Sequence, residues 1–433
     1  MAKTVAIVGF AVEGEAALHY FQQAGYEVTV CDQDVHKQIP AGVASQLGSD
    51  YLANLDRFDV VFRSAGIHPD IILSKNPAIA QKLTTTMNEF LQVCPTKNVI
   101  GITGTKGKGT TSTLTAKMLE AAGKKVFLGG NIGLSPFSFL SEITADSWVV
   151  LELSSFQLSD IHHSPHIAVC LMVVPEHLNW HSDMQDYTAA KAQLFAHQTE
   201  QDIAIYFDGS EESKRIASAS PGQKLPFFAP PGAFVQDDEI VIDGQHVCKT
   251  SDIKLLGKHN WQNACAAVTA VWQITQSVEA MRSVLTSFTG LPHHLEFLRT
   301  LDDVDYYDDS FGTTPETAIV ALQAFTKPKV IILGGSSKGV PFNELAKAVT
   351  ANNVRQAIVI GDTAPDITEA LTAQGFTNIT QGGSTMHDIV ATARKAAQPG
   401  DIILLSTGCA SFGLFKNYKD RGQQFQAEVS ALA

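Results

Sequence analysis

The sequence predicts an α/β protein of three nucleotide-sized segments, and three observations carry that reading. The chain has 433 residues, too many for one hydrophobic core and enough for about three domains. Short β-branched runs alternate with helical patterns along it, the signature of parallel sheets covered by helices. Each segment also opens with a strand that runs into a glycine-containing turn or a helix cap, the place where α/β sheets hold their ligands.

The first segment, 1–93, opens with "TVAIVGFAVEGEAALHYFQQAGYEVTVCD". A strand ends at Gly9, a helix starts near Gly14, Gly25 closes it, and a second strand leads to Asp32. Gly9, Ala11 and Gly14 fall in the GxGxxG register, so the helix start offers a diphosphate cradle. A further strand, "FDVVFRSAG", ends in the turn Ser64–Gly66.

The second segment, 94–290, follows the break at "QVCPTKN". Its strand "NVIGIT" runs into Gly104, Thr105, Lys106, Gly107, Lys108, Gly109 and Thr110 and then a helix. Backbone N–H groups in such a loop face an anion, glycines admit it, and a lysine neutralises the outer phosphates. The fixed GxxxxGK[ST] pattern fails twice, with Ile102 at the first glycine and Gly109 at the hydroxyl. Downstream, "ELSSFQLSD" places Glu152 at a strand end, where a carboxylate either ligates magnesium or caps a helix. His177 and His181 follow the next strand in "VVPEHLNWH". Lys191, in the helical "DYTAAKAQLFAHQ", reads by itself as a surface lysine. A hairpin is expected at Asp243–Gly244.

The third segment, 291–433, alternates strands and helices again. Thr314 and Pro315 read as N-cap and first helical residue, which puts Asp309 in a ligand-facing loop.

A net charge of -13 excludes affinity for nucleic acid through a broad basic surface and leaves small anions as ligands. The six cysteines are scattered without metal spacing, which reads as free thiols in a reducing cytosol. The N-terminal apolar run is too short for a signal peptide, and no stretch approaches the ~20 apolar residues of a membrane span. A cytoplasmic, monomeric protein without membrane insertion is expected.

The ordered motifs "GNIG" (130–133), "ELSSFQL" (152–158), "EHLNWH" (176–181), "AAK" (189–191), "GKHNWQNACAA" (257–267), "FTGLPHHLEF" (288–297) and "DDS" (308–310), behind the glycine-lysine loop, resemble the Mur ligase family over nearly the whole chain. "LGGSSKG" (333–339) and the C-terminal "STGCASFGLFKNYKDRGQQF" are most similar to members that add D-glutamate. The resemblance implies Rossmann-like first and third domains around a central ATPase domain. It implies an ATP- and Mg2+-dependent amide ligase of peptidoglycan precursor synthesis, with UDP-N-acetylmuramoyl-L-alanine and D-glutamate as substrates.

Carried onto this sequence, it gives Lys108 the outer phosphates, and Glu152, His177, Thr110 and a carbamylated Lys191 the magnesium. Asn260, His294 and Asp309 would contact ATP. Ala11, Val12, Asp32, Ser64 and Gly66 would surround the uridine diphosphate, and Asn131, Ser154 and Gln157 the muramoyl arm. Thr313, Lys338, Ser411 and Phe412 would receive D-glutamate.

The sequence departs from the family pattern in four places. Gly109 follows the loop lysine, and His294 replaces the arginine of LPHR. Phe311 and Thr314 replace lysine and asparagine in DSKATNP, and Glu176 and Asn179 replace aspartates in DHLD. Alternatives left open are a Mur-type or folylpolyglutamate-type ligase with another acceptor, and a non-catalytic nucleotide-binding partner of a cell-wall complex.

Overall fold

Three mostly parallel sheets, taken in chain order, organise the molecule in a computed structural model that describes residues 2–432 except 133, 179, 256 and 338. The first sheet comprises β1 (Thr4–Val8), β2 (Glu27–Asp32), β3 (Ala44–Leu47), β4 (Val60–Arg63) and β5 (Leu83–Thr84), in the order β3-β2-β1-β4-β5. All of its pairings are parallel. The helix Val12–Gln23 connects β1 to β2, with Ala11 as an N-cap that offers no side-chain hydrogen bond.

The second sheet holds β6 (Val99–Thr103), β7 (Val126–Gly130), β8 (Trp148–Glu152), β9 (Ile167–Cys170), β10 (Ile203–Phe207) and β11 (Gln223–Phe227), ordered β11-β10-β9-β6-β8-β7. β6 lies at its centre, between β8 and β9, and all five of its residues are buried. Burial on both faces is what parallel sheets covered by helices require, and it explains the unbroken apolar run that the sequence shows there. A small antiparallel sheet follows, β12 (Phe234–Gln236), β13 (Glu239–Ile242) and β14 (Gln245–Lys249), with the expected turn at Asp243 and Gly244, both at positive φ.

The last sheet runs β15-β16-β20-β17-β18-β19, from β15 (Glu296–Leu301), β16 (Val304–Asp308), β17 (Lys329–Gly334), β18 (Val354–Ile360), β19 (Ile379–Gln381) and β20 (Ile402–Leu405). β15 is antiparallel to β16, and their tight turn carries Asp302 and Asp303 at positive φ. This edge hairpin is an addition to the alternating strand–helix reading. Aspartate tolerates the left-handed region better than most residues, so the Asp-Asp pair is its local cause.

The chain forms two compact units, Met1–Ile253 with Lys258–Phe288, and Lys254–Gly257 with Thr289–Ala433. The first two sheets and the hairpin sheet belong to one, the last sheet to the other. No described helix is long and apolar enough to cross a membrane.

Candidate active site

In the first unit, β6 delivers the chain into the glycine loop, and the helix Lys108–Ala121 carries it away. Gly104 and Gly107 have φ of 143° and 87°. A Cβ on Gly104 would lie 2.7 Å from Leu171 Cβ, and one on Gly107 2.2 Å from Asn263 Oδ1. Both positions therefore need glycine by backbone and by space. Thr105 pins the loop: its N–H donates to Met172 O at 2.8 Å and its hydroxyl to Val174 O at 3.0 Å. The helix has no side-chain cap, so its first N–H groups are left to face an anion.

Two lysines meet at this loop. Lys108 Nζ donates to the carbonyls of Gly104 and Thr105 at 3.1 and 3.0 Å. Lys191 Nζ donates to the same Gly104 carbonyl at 2.9 Å and contacts Thr103 Oγ1 at 3.4 Å. Lys191 is buried, 1% exposed, and lies over the Tyr187 ring at 4.5 Å. Its helical pattern alone had pointed to the surface; the packing of the helix Met184–Ala196 against the loop overrides it. Burial first, then the Lys108 charge, pulls the Lys191 ammonium down to about 7. Burial also lowers Lys108, with Glu152 and Glu176 opposing. Lys191 therefore has neutral amine available near pH 7, and two lysines crowded on one carbonyl favour an incoming anion.

Glu152 closes β8 and is buried; its Oε1 accepts from Asn131 Nδ2 at 2.7 Å. His177 has φ 58° and packs on Phe156 with ring centroids 4.8 Å apart. Burial, ahead of the opposing Glu176 charge, lowers its pKa, which keeps an imidazole lone pair free for a metal. His181 is different, because Ser155 Oγ at 2.9 Å and Asp186 Oδ2 at 3.3 Å occupy its two nitrogens. It is a structural histidine. Glu176 forms an ion pair with Lys106. Asn260 and Asn263 lie on the helix His259–Trp272, and Asn263 Nδ2 donates to Asn260 Oδ1 at 2.9 Å.

The first sheet adds the turn at Ser64–Gly66, with Ser64 Oγ donating to Gly9 O at 2.7 Å. Asp32 accepts from Phe10 N at 2.7 Å and Asp34 N at 3.0 Å, so its carboxylate shapes the loop that precedes the uncapped helix. Val12, 69% exposed, lies in the first turn of that helix. Ser154 caps the short helix Ser155–Leu158 in a capping box with Gln157. Sequence reading passed over Glu13, Arg63 and Trp180, all of which contact the 64–67 turn.

In the second unit, Asp309 follows β16 and is nearly buried; it accepts from Ser406 Oγ at 2.6 Å and Leu295 N at 3.2 Å. Burial raises its carboxyl to about 7. Thr313 lies just before the helix Pro315–Gln323, Ser411 is buried and Phe412 is 64% exposed. His294 and Phe311, two of the departures from the family pattern, stack with centroids 3.8 Å apart and planes at 26°. Burial pushes His294 down to about 4, so it is neutral. Lys338 and Asn179 lie outside the described residues.

Among the described residues, His293, Glu296 and Asp308 are the group of three whose ligand atoms could share a metal. Gln426 Nε2 already donates to Glu296 and Asp308, both at 3.0 Å, and His293 Nδ1 lies 2.7 Å from Asp308. That network fastens the 291–296 segment to β16. Glu152 and His177 do not make a three-residue cluster, so metal there needs further ligands.

The Mur ligase middle domain matches residues 102–271 and the Mur ligase glutamate ligase domain residues 294–409. A UDP-N-acetylmuramoylalanine–D-glutamate ligase of Symbiobacterium thermophilum is 36% identical over 99% of this chain and 98% of its own. The ligase of that name from Clostridium tetani is 34% identical over 99% and 97%. Among solved structures, a MurF of Acinetobacter baumannii has TM-score 0.63 at 17% identity, covering 99% of this chain and 93% of its own. The UDP-N-acetylmuramate-alanine ligase of Thermotoga maritima has TM-score 0.61 at 16% identity, with both chains fully covered. These last two show the three-domain fold. With both domain models matched and the likeness running over 99% of the chain, the chain belongs to the Mur ligase family, the amide-forming ligases of peptidoglycan precursor synthesis.

Proposed function

We propose that this chain joins D-glutamate to UDP-N-acetylmuramoyl-L-alanine with ATP. The observation that carries the reading is the convergence of Lys108 and Lys191 on the Gly104 carbonyl, at the head of an uncapped helix. A carboxylate is a poor electrophile because its leaving group would be oxide, and transfer of the γ-phosphoryl group supplies a better one. The amine of the acceptor then attacks the acyl phosphate, and phosphate leaves from the tetrahedral intermediate. Phosphoryl transfer is mostly positioning and charge stabilisation, which is what a glycine loop with a buried lysine provides. Lys108 and the N–H groups of residues 108–110 hold the outer phosphates, and the carboxyl of Asp309 meets the ribose hydroxyls.

Magnesium fits the donor set of the first unit. Glu152 is a hard oxygen ligand at a strand end, His177 is kept neutral, and magnesium completes its shell with phosphates and water. Thr110 stands beside Gly109, and a Lys191 near neutrality reacts with CO2 to give a carbamate oxygen. When bound, the ion would supply positive charge that offsets the phosphate charge during phosphoryl transfer. Ala11, Val12, Asp32, Ser64 and Gly66 take the uridine diphosphate, and Asn131, Ser154 and Gln157 the muramoyl arm. Thr313, Lys338, Ser411 and Phe412 take D-glutamate. The domains divide at 93 and 290, and the protein works as a cytoplasmic monomer.

Purified protein with magnesium, ATP and UDP-N-acetylmuramoyl-L-alanine is expected to release phosphate when D-glutamate is added and not with other amino acids. Equal release across an acceptor panel removes the D-glutamate assignment. No release with any acceptor removes the ligase reading.

A further inference from the structure

The turn after β4 is held from three sides. Arg63 is fully buried. Its Nη1 donates to the carbonyls of Ser64, Ala65 and Ile67 at 3.4, 3.2 and 2.7 Å. Its Nε and Nη2 form a fork on Asp160 at 2.9 and 2.6 Å, and Nη2 also reaches Phe156 O at 3.0 Å. A bidentate arginine–carboxylate pair of this kind fixes orientation as well as distance. Trp180 Nε1 donates to Gly66 O at 3.3 Å.

The third side is Glu13, in the first turn of the helix Val12–Gln23. Its Oε2 accepts from Ala65 N at 2.8 Å, and its Oε1 from Gln157 Nε2 at 2.9 Å. The Gln157 Oε1 in turn accepts from the N–H and hydroxyl of Ser154, both at 3.1 Å. One carboxylate thus joins three segments: the uncapped helix start, the 64–66 turn, and the capping box after β8.

We propose that Glu13 is a positioning residue for the UDP-linked substrate, and this rests on the function proposed above. A bare carboxylate beside an expected diphosphate cradle would repel the ligand. Here each oxygen is already engaged by a donor that other bonds fix in place. Removing the carboxylate leaves Gln157 Nε2 and Ala65 N without their shared acceptor, so the 64–66 turn and the capping box after β8 lose their common reference.

The test is titration calorimetry with UDP-N-acetylmuramoyl-L-alanine and with UDP alone, without ATP, beside steady-state kinetics on full-length Glu13→Ala and Glu13→Gln. In Glu13→Ala, Kd and KM for the UDP-linked substrate are expected to rise about tenfold, with KM for ATP and D-glutamate within twofold of wild type. Glu13→Gln keeps one acceptor and is expected to lose about threefold. Tighter binding in Glu13→Ala overturns the inference, because Glu13 would then be an internal competitor for the anion site. Unchanged KM with a lowered Tm overturns it too, in favour of a purely structural tie. Wild-type protein that binds neither ligand refutes the substrate reading itself, whereas wild-type binding that both variants retain refutes only the role of Glu13.

Discussion

The turn after β6 and the turn after β16 share one construction and carry opposite charges. In both, a strand with a parallel neighbour ends in a loop that feeds a helix, although β6 is buried throughout and parallel on both sides, whereas β16 alternates buried and half-buried residues and is antiparallel to β15. At the first, the buried charges are lysines partnered by carbonyl and hydroxyl oxygens, and burial drives Lys191 down to about 7. At the second, the buried charge is the Asp309 carboxylate, and burial drives it up to about 7. Topology therefore decides where a ligand meets the chain, and the buried side chain decides its sign. In the proposed function the first turn takes phosphate and the second takes hydroxyl donors.

The largest way to break this contrast is to remove the cation. Lys108→Ala is expected to lower kcat about a thousandfold, roughly 4 kcal/mol, as for loss of a preorganised charge contact. Lys191→Ala is expected to lose about a hundredfold, and bicarbonate should raise the rate of CO2-depleted wild-type enzyme but not of the variant. Full activity in either variant refutes the charge reading of the loop. Next in size, Glu152→Gln should raise the magnesium concentration for half-maximal rate by about 10- to 100-fold. Chelation of divalent cations should stop phosphate release, and added magnesium should restore it.

The contrast was only partly legible beforehand. Gly104, Gly107, Lys108, Glu152 and Asp309 could be placed because strand ends and glycine spacing are local signals. Lys191 came only by resemblance; its burial depends on what the helix packs against. Glu13 was invisible for the opposite reason, since an acid in the first turn of a helix is the ordinary electrostatic preference. The contact of His294 with Phe311, and the positive φ of His177, follow from turn geometry that no periodicity encodes.

Stability against pH sharpens the comparison at an intermediate scale. Lys191 titrates near 7 in the folded chain against 10.5 ordinarily, so between those values the unfolded chain holds the proton and the folded one does not. Its contribution makes stability rise with pH from 7 towards 10. Asp309 titrates near 7 against 3.8, so there the folded chain holds the proton and stability falls as pH climbs from 4 to 7. Lys191→Met should flatten the upper slope and Asp309→Asn the lower one, each by on the order of 1–3 kcal/mol in urea unfolding. Slopes unchanged in both variants would mean that these groups are not perturbed by burial.

The smallest effect concerns the stacked pair, and it tests the proposal that the second turn contacts the nucleotide. With His294 neutral at pH 7, the pair supplies a ring face where the family pattern has two cations. His294→Ala and Phe311→Ala should each cost about 1 kcal/mol, with the double variant little worse than either, because aromatic pairs are worth about that beyond their area. Additive losses would show that the rings are neighbours without coupling. His294→Arg puts a cation over the Phe311 ring and adds a fork suited to phosphate, so KM for ATP should fall two- to fivefold. A rise instead would mean that the neutral stack is itself the nucleotide contact in this chain.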